Sequence, residues 1–293
     1  MVRLVTDYGR ESSWREKLYP LFEEVFGMPV DLLQDFHRRG YWDPSYCPYT
    51  YFDGDRALAN VSRFSLPLII KGQPIVAAGI QSVMTLPEFR HLGLMTSLME
   101  YMLEDIDRRY FVSLLFTSQP NLYQRFGFQK VPETRFRAAL PCLALDTPSA
   151  LRRLDLSKHA DGVLLQRVLE QSVPLSHGFA PTSYQSSFYL HCYETAWRER
   201  LHYDPESESV IVYEAHEKTL WLYAILAKEW PTMQSVLRAV ATASLTEVVV
   251  DFSPDRFPEL AWTPFLCESA SILMARGEIL LPQPLTYPDI AKF

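Results

Sequence analysis

The stretch Gly79-Ile-Gln-Ser-Val-Met-Thr-Leu-Pro-Glu-Phe-Arg-His-Leu-Gly-Leu-Met-Thr-Ser-Leu-Met99 runs an apolar strand into a basic turn with one glycine and then into an amphipathic helix. The first backbone N–H groups of a helix have no intrahelical partner, and the macrodipole places partial positive charge where they point. An anion fits there. Gly93 has no Cβ, so a ligand oxygen could come close to the backbone, while Arg90 and His91 add donors that favour negative charge. Behind the turn Leu94, Met95, Leu98, Met99, Met102, Leu103 and Ile106 recur at helical spacing, with Thr96, Glu100, Glu104, Asp107 and Arg108 on the other side. The helix should therefore lie on a sheet with its first turn free. Strand, turn and helix in this order also occur in α/β proteins without a ligand, so spacing alone leaves both readings open.

Working outward, the segment from Ser13 to Gly27 reads as a helix, and a second helix is expected from Asp31 to Arg38. Tyr41, Trp42, Tyr46, Tyr49, Tyr51 and Phe52, interleaved with Pro44 and Pro48, read as an aromatic loop that either lines a pocket or plugs a domain interface. Turns at Asp53-Gly-Asp55 and Lys71-Gly72 make Ala57–Ile70 and Pro74–Thr85 antiparallel neighbours. Tyr110–Phe116 is a β-type run, Thr117 to Asn121 opens a loop or helix, and Arg135–Leu143 reads as a closing strand.

The pattern restarts after Leu145, which divides the chain into 1–145 and 150–293. Asp161–Glu170 and Ser186–Leu201 read as helices, Val210–Tyr213 and Leu220–Ala227 as strands around Glu217-Lys218, Met233–Ala243 as a helix and Leu245–Phe252 as a strand. That order echoes the first half. Its strand-to-helix turn, Lys228-Glu-Trp-Pro-Thr232, has no glycine and an acidic residue where a phosphate would want none.

Composition narrows the function. The 293 residues are 48% hydrophobic and 22% charged with a net charge of −7, which argues for a globular protein without a general surface for nucleic acid or an anionic membrane. Cysteines 47, 142, 192 and 267 lack metal or disulfide spacing, the histidines show no ligand pattern, and no apolar run spans a bilayer. A cytoplasmic, metal-free protein is expected. The oligomeric state stays open, a homo-oligomer included.

The first half resembles the GCN5-related N-acetyltransferase (GNAT) superfamily. Its turn signature matches Arg90-His-Leu-Gly93-Leu-Met95, and a second signature matches Leu122-Tyr123-Gln-Arg-Phe126-Gly127-Phe128. Asp53-Gly-Asp, Ala59-Asn-Val-Ser and the Gly-Leu-Met turn look most like the Eis-type tandem branch, here without its third, carrier-like domain. Met95 departs from the small residue usual at that point of the turn. The resemblance implies an α/β fold with a mixed sheet, a GNAT domain followed by a degenerate copy, and acetyl-CoA in a gap between splayed strands. It implies contacts to the cofactor from the backbone of Val83, Met84 and Thr85, and a pyrophosphate on the amides of His91, Leu92, Gly93, Leu94 and Met95 with Arg90 nearby. It also implies Tyr123 as the acid that protonates the departing sulfur and the Phe293 carboxylate as a base for an amine of a small molecule or peptide; water relayed from Glu88 or from a carboxylate of the aromatic loop is the alternative base. The other class left open is a non-catalytic acyl-CoA-binding or scaffold protein.

Overall fold

The structure is a computed structural model that describes residues 1–140, 150–240, 245–266, 269–278 and 281–293. In chain order the first half runs β1 (Val2–Thr6), α1 (Ser12–Phe26), α2 (Val30–Arg38), β2 (Cys47–Asp53), β3 (Arg56–Ile70), β4 (Gln73–Thr85), α3 (Leu94–Arg109), β5 (Val112–Thr117), α4 (Asn121–Gln124), β6 (Gln129–Lys130) and β7 (Thr134–Ala139). The second half runs β8 (Arg152–Arg153), α5 (His159–Gln171), β9 (Phe179–Pro181), α6 (Gln185–His191), α7 (Thr195–Glu199), β10 (Leu201–Asp204), β11 (Ser209–His216), β12 (Thr219–Leu226), α8 (Met233–Val240), β13 (Glu247–Val250), β14 (Thr263–Leu266) and β15 (Ile272–Gly277).

These strands make two mixed sheets. The first has the order β1-β2-β3-β4-β5-β15-β6, with β9 added to the far end of β3; the second has the order β14-β7-β13-β12-β11-β10-β8. The sheets trade strands. β15 comes from the second half and pairs with β5 over its whole length, while β7 comes from the first half and lies between β13 and β14. Arg276 anchors the exchange on one side: its guanidinium meets the Asp107 carboxylate at 2.5 and 2.8 Å and donates to the Phe126 carbonyl at 2.9 Å. Gly277 follows because a Cβ there would stand 2.1 Å from the Phe111 carbonyl oxygen. The boundary expected between 145 and 150 adjoins residues 141–149, which lie outside those described.

Two helical layers sandwich the first sheet. On one face Leu98, Met99, Met102, Leu103 and Ile106 of α3 bury against Tyr49, Val61, Ile80 and Leu115, each such side chain contributing roughly 1.5–3 kcal/mol. On the other, Leu18, Leu21 and Phe22 of α1 and Leu33 of α2 cover Phe52, Leu58 and Met84. A further core runs from Phe64 and Leu66 of the first sheet into Val212, Ile225 and Val248 of the second, so the halves share one apolar interior.

Three expectations are corrected. The aromatic stretch is a loop only as far as Tyr46; Cys47–Asp53 is β2, pairing with β1 and β3, because its side chains alternate between the two faces of the sheet. The segment Ser186–Leu201 is not one helix: α6 stops at His191, Glu194 is extended, and Leu201 already pairs with Val212. The strand expected at Arg135–Leu143 forms over Thr134–Ala139 but joins the second sheet and does not close the first; periodicity reports a strand, not its partner. Cys47 and Cys192 are free thiols.

Candidate active site

Strands β4 and β5 run parallel, but their ladder covers only Ala78–Ile80 against Ser113–Leu115. Beyond it β4 continues to Thr85 and β5 to Thr117, and a gap opens between them. The cause is on the β3 side. The β3–β4 register shifts between Asn60 and Ser62, where Ser82 takes φ +55°, an irregularity that adds twist and re-aims the strand. A non-glycine residue in that region costs roughly 1–2 kcal/mol, and a buried amide holds it there. Asn60, fully buried, donates to the Ser82 carbonyl at 2.7 Å and to Ser62 Oγ at 2.8 Å, and accepts from Thr50 Oγ1 at 2.6 Å. Ser62 Oγ in turn donates to the Tyr46 hydroxyl at 2.7 Å, and Thr50 meets the Tyr8 hydroxyl. Past Ile80 the backbone of Val83, Met84 and Thr85 has no ladder partner from β5.

The turn that follows is built to leave a helix end bare. Pro87–Phe89 makes one short helical turn, Arg90 is extended, His91 has φ +65° and Gly93, at the N-cap of α3, has φ +80°. No side chain caps α3, and no acidic residue stands in its first turn. Gly93 is needed for its backbone angle and not for space, since an added Cβ would meet nothing within 4 Å. Arg90 reaches back to the Thr85 carbonyl at 3.4 Å, and Arg125 to the Thr96 hydroxyl.

Gap and turn open into one cleft of about 1260 Å³. Val83, Met84 and Thr85 line it, as do Arg90, His91, Gly93, Leu94 and Met95; Leu92 faces solvent instead. Across the gap stand Phe116, Thr117 and Tyr123. Tyr123 is brought there by α4; its ring meets Phe128 edge-on at 6.3 Å, and burial pushes its phenol up to about 12, opposed by a hydrogen bond with Thr117. It therefore keeps its proton near neutral pH. Phe293 lines the same cleft, its ring packed edge-on against Phe64 at 4.7 Å and Phe116 at 5.4 Å. Glu88 pairs with Arg56 and does not line the cleft.

Trp42, Asp43 and Tyr46 line the cleft, whereas Tyr41 stacks flat on Tyr189 at 3.8 Å, so the aromatic stretch lines a pocket and also joins the halves. Burial pushes the Tyr46 phenol up to about 12. The second half adds Ser186, Ser187 and Leu190 from α6 together with Ala270 and Ser271, none of which sequence reasoning found. No motif marks them, because they are brought in by tertiary packing alone. Among the described residues no group of His, Cys, Asp or Glu could hold a metal, and no helix is long and apolar enough to cross a membrane.

With that geometry in view, residues 9–131 match a family model described as an acetyltransferase (GNAT) domain. That match takes in most of the first half. No curated protein matches the chain. Among solved structures, Eis1 from Mycobacterium abscessus superposes with a TM-score of 0.58 at 16% identity, covering 94% of this chain and 73% of Eis1. A GCN5-related N-acetyltransferase from Kribbella flavida does so with a TM-score of 0.53 at 18% identity, covering 94% of this chain and 72% of that one. At these identities the likeness is one of fold: the whole chain follows a tandem GNAT-like α/β architecture.

Proposed function

We propose that this chain is an N-acetyltransferase that moves an acetyl group from acetyl-CoA to a primary amine by direct attack. The observation that carries the reading is the coincidence, in one cleft, of an uncapped helix N-terminus, an unpaired strand edge and a buried phenol that keeps its proton. The pyrophosphate would rest on the amides from His91 to Met95 beside Arg90, and the pantetheine amides would pair with the free backbone of Val83, Met84 and Thr85, as an added strand does. The amine lone pair attacks the thioester carbonyl carbon. A C–N bond forms, the C–S bond breaks, and its electron pair leaves on sulfur, which takes the Tyr123 proton. The backbone N–H of Thr85 is the donor for the oxyanion that develops on the way. The proton shed by nitrogen passes to a carboxylate, for which Phe293 is the candidate, and tyrosine is re-protonated; the products are the N-acetyl amine and CoA thiol. We place the protein in the cytoplasm, where acetyl-CoA is at hand.

Thiol release from acetyl-CoA in the presence of an amine panel, with calorimetry of CoA binding, tests the reading. Turnover with micromolar binding is expected. Binding without turnover on any amine would instead favour a non-catalytic acyl-CoA-binding protein, and absence of both would remove the proposal.

A further inference from the structure

The cleft does not end at the thioester. Beyond the gap it continues over the other face of the sheet, where Phe22, Val25, Phe26 and Met28 of the α1–α2 corner and Leu33 and Phe36 of α2 line it. These side chains are not all spent on the core: Phe26 is 50% exposed, and Val25 and Met28 are half-buried. Such apolar surface, gathered in a concave site, is covered favourably only by something apolar. Facing it, Trp42 offers ring surface, itself packed edge-on against the buried Tyr46 at 5.3 Å, and Leu190 closes the side toward the second half.

Charge at this end is sparse. Among the described residues that line the cleft, Asp43 is the one carboxylate side chain, and Arg90 and Arg125 stand at the cofactor end. Asp43 is fixed in place: its Oδ1 accepts from the Ser45 backbone at 2.7 Å and from Ser45 Oγ at 2.5 Å. Asp43, Gln81, Ser186, Ser187 and Phe293 also share a small recess, which sets this carboxylate beside the chain segment proposed to carry the base. Half-buried Asp43 satisfies one ammonium, and the Phe293 carboxylate is kept for the proton that nitrogen sheds; a molecule with several ammonium groups would bring the others against apolar side chains unpaired.

We propose that the acceptor is a monoamine on an apolar, aryl-sized body, its ammonium drawn to Asp43 and its body seated against α1 and α2. This rests on the acyl-transfer reading above and narrows its substrate. A long acyl chain on the thioester is the other apolar occupant of comparable size, and it has no use for Asp43 or the paired serines.

The experiment compares thiol release from acetyl-CoA with phenethylamine and tryptamine against spermidine and kanamycin, and repeats it with octanoyl-CoA and ethylamine. The aryl amines should exceed the polyamines in kcat/KM by about tenfold or more, the scale set by burying one ring. Phe26→Ser should raise KM for phenethylamine about tenfold while the Kd for CoA holds. Asp43→Asn should also raise that KM, with no change in CoA binding. The proposal is overturned if a polyamine is the better acceptor, if octanoyl-CoA outpaces acetyl-CoA, or if both variants keep the wild-type KM. Those outcomes leave acyl transfer standing. No thiol release with any amine removes both.

Discussion

The two halves contain the same junction, a strand that leaves its parallel neighbour and turns into a helix, and they finish it in opposite ways. In the first half the β4–β5 ladder stops at Ile80, the gap stays open, and α3 begins with no side chain on its N–H groups. In the second half β12 and β13 pair over Thr219–Leu222 and Glu247–Val250, and the space beyond is filled by Trp230, whose ring lies 5.9 Å from Phe252 and 5.5 Å from Phe257. There α8 is capped from within: Thr232 Oγ1 accepts from Ser235 N–H at 3.1 Å, and the Glu259 carboxylate accepts from Met233 N–H at 3.0 Å. A side-chain carboxylate stands where the first half leaves room for a phosphate. The difference teaches that the fold provides the gap, and that the side chains placed beyond the ladder decide whether it stays open.

If the open half does chemistry, the largest effect belongs to the phenol. Tyr123→Phe should lower kcat by about 10²-fold or more, the usual contribution of a positioned acid, while the Kd for CoA stays unchanged. Because its phenol is pushed up to about 12, the wild-type rate should climb with pH as the amine loses its proton and should not turn down by pH 9. A downturn at pH 8 to 9 would assign the proton to another group. Gly93→Val comes next. Valine at φ +80° costs roughly 1–2 kcal/mol and shifts the amides of the turn, so CoA binding measured by calorimetry should weaken about tenfold.

The parts legible in the sequence are those whose chemistry is local. The Arg90–Met95 turn needs a glycine at a left-handed angle, and α1, α2 and α3 show their apolar stripes directly. Less legible was whatever depends on a distant partner. The aromatics of Cys47–Asp53 were hidden as a strand by Pro48, and nothing in Ile272–Gly277 says that it inserts between β5 and β6. The apolar end of the cleft is half legible: Trp42 and Tyr46 stand out as aromatics, but Ser186, Ser187 and Leu190 enter only because α6 packs across the halves. Glu229 makes the turn at Lys228–Thr232 read as unfit for a phosphate, yet Glu229 is exposed and the cap comes from Glu259, 26 residues after Met233.

That cap provides the smallest and most direct test. Glu259→Gln keeps an acceptor for the Met233 N–H but removes the charge opposed to the α8 dipole, so it should cost about 0.5–1 kcal/mol and lower Tm by a few degrees. Glu259→Ala removes the acceptor as well and should cost about twice that. Neither should create a second CoA site, since calorimetric stoichiometry depends on an open gap and Trp230, Phe252 and Phe257 still occupy it. A second equivalent of CoA bound by Glu259→Ala would mean that the cap alone separates the halves, and the aromatic filling would then be a consequence of disuse and not its cause.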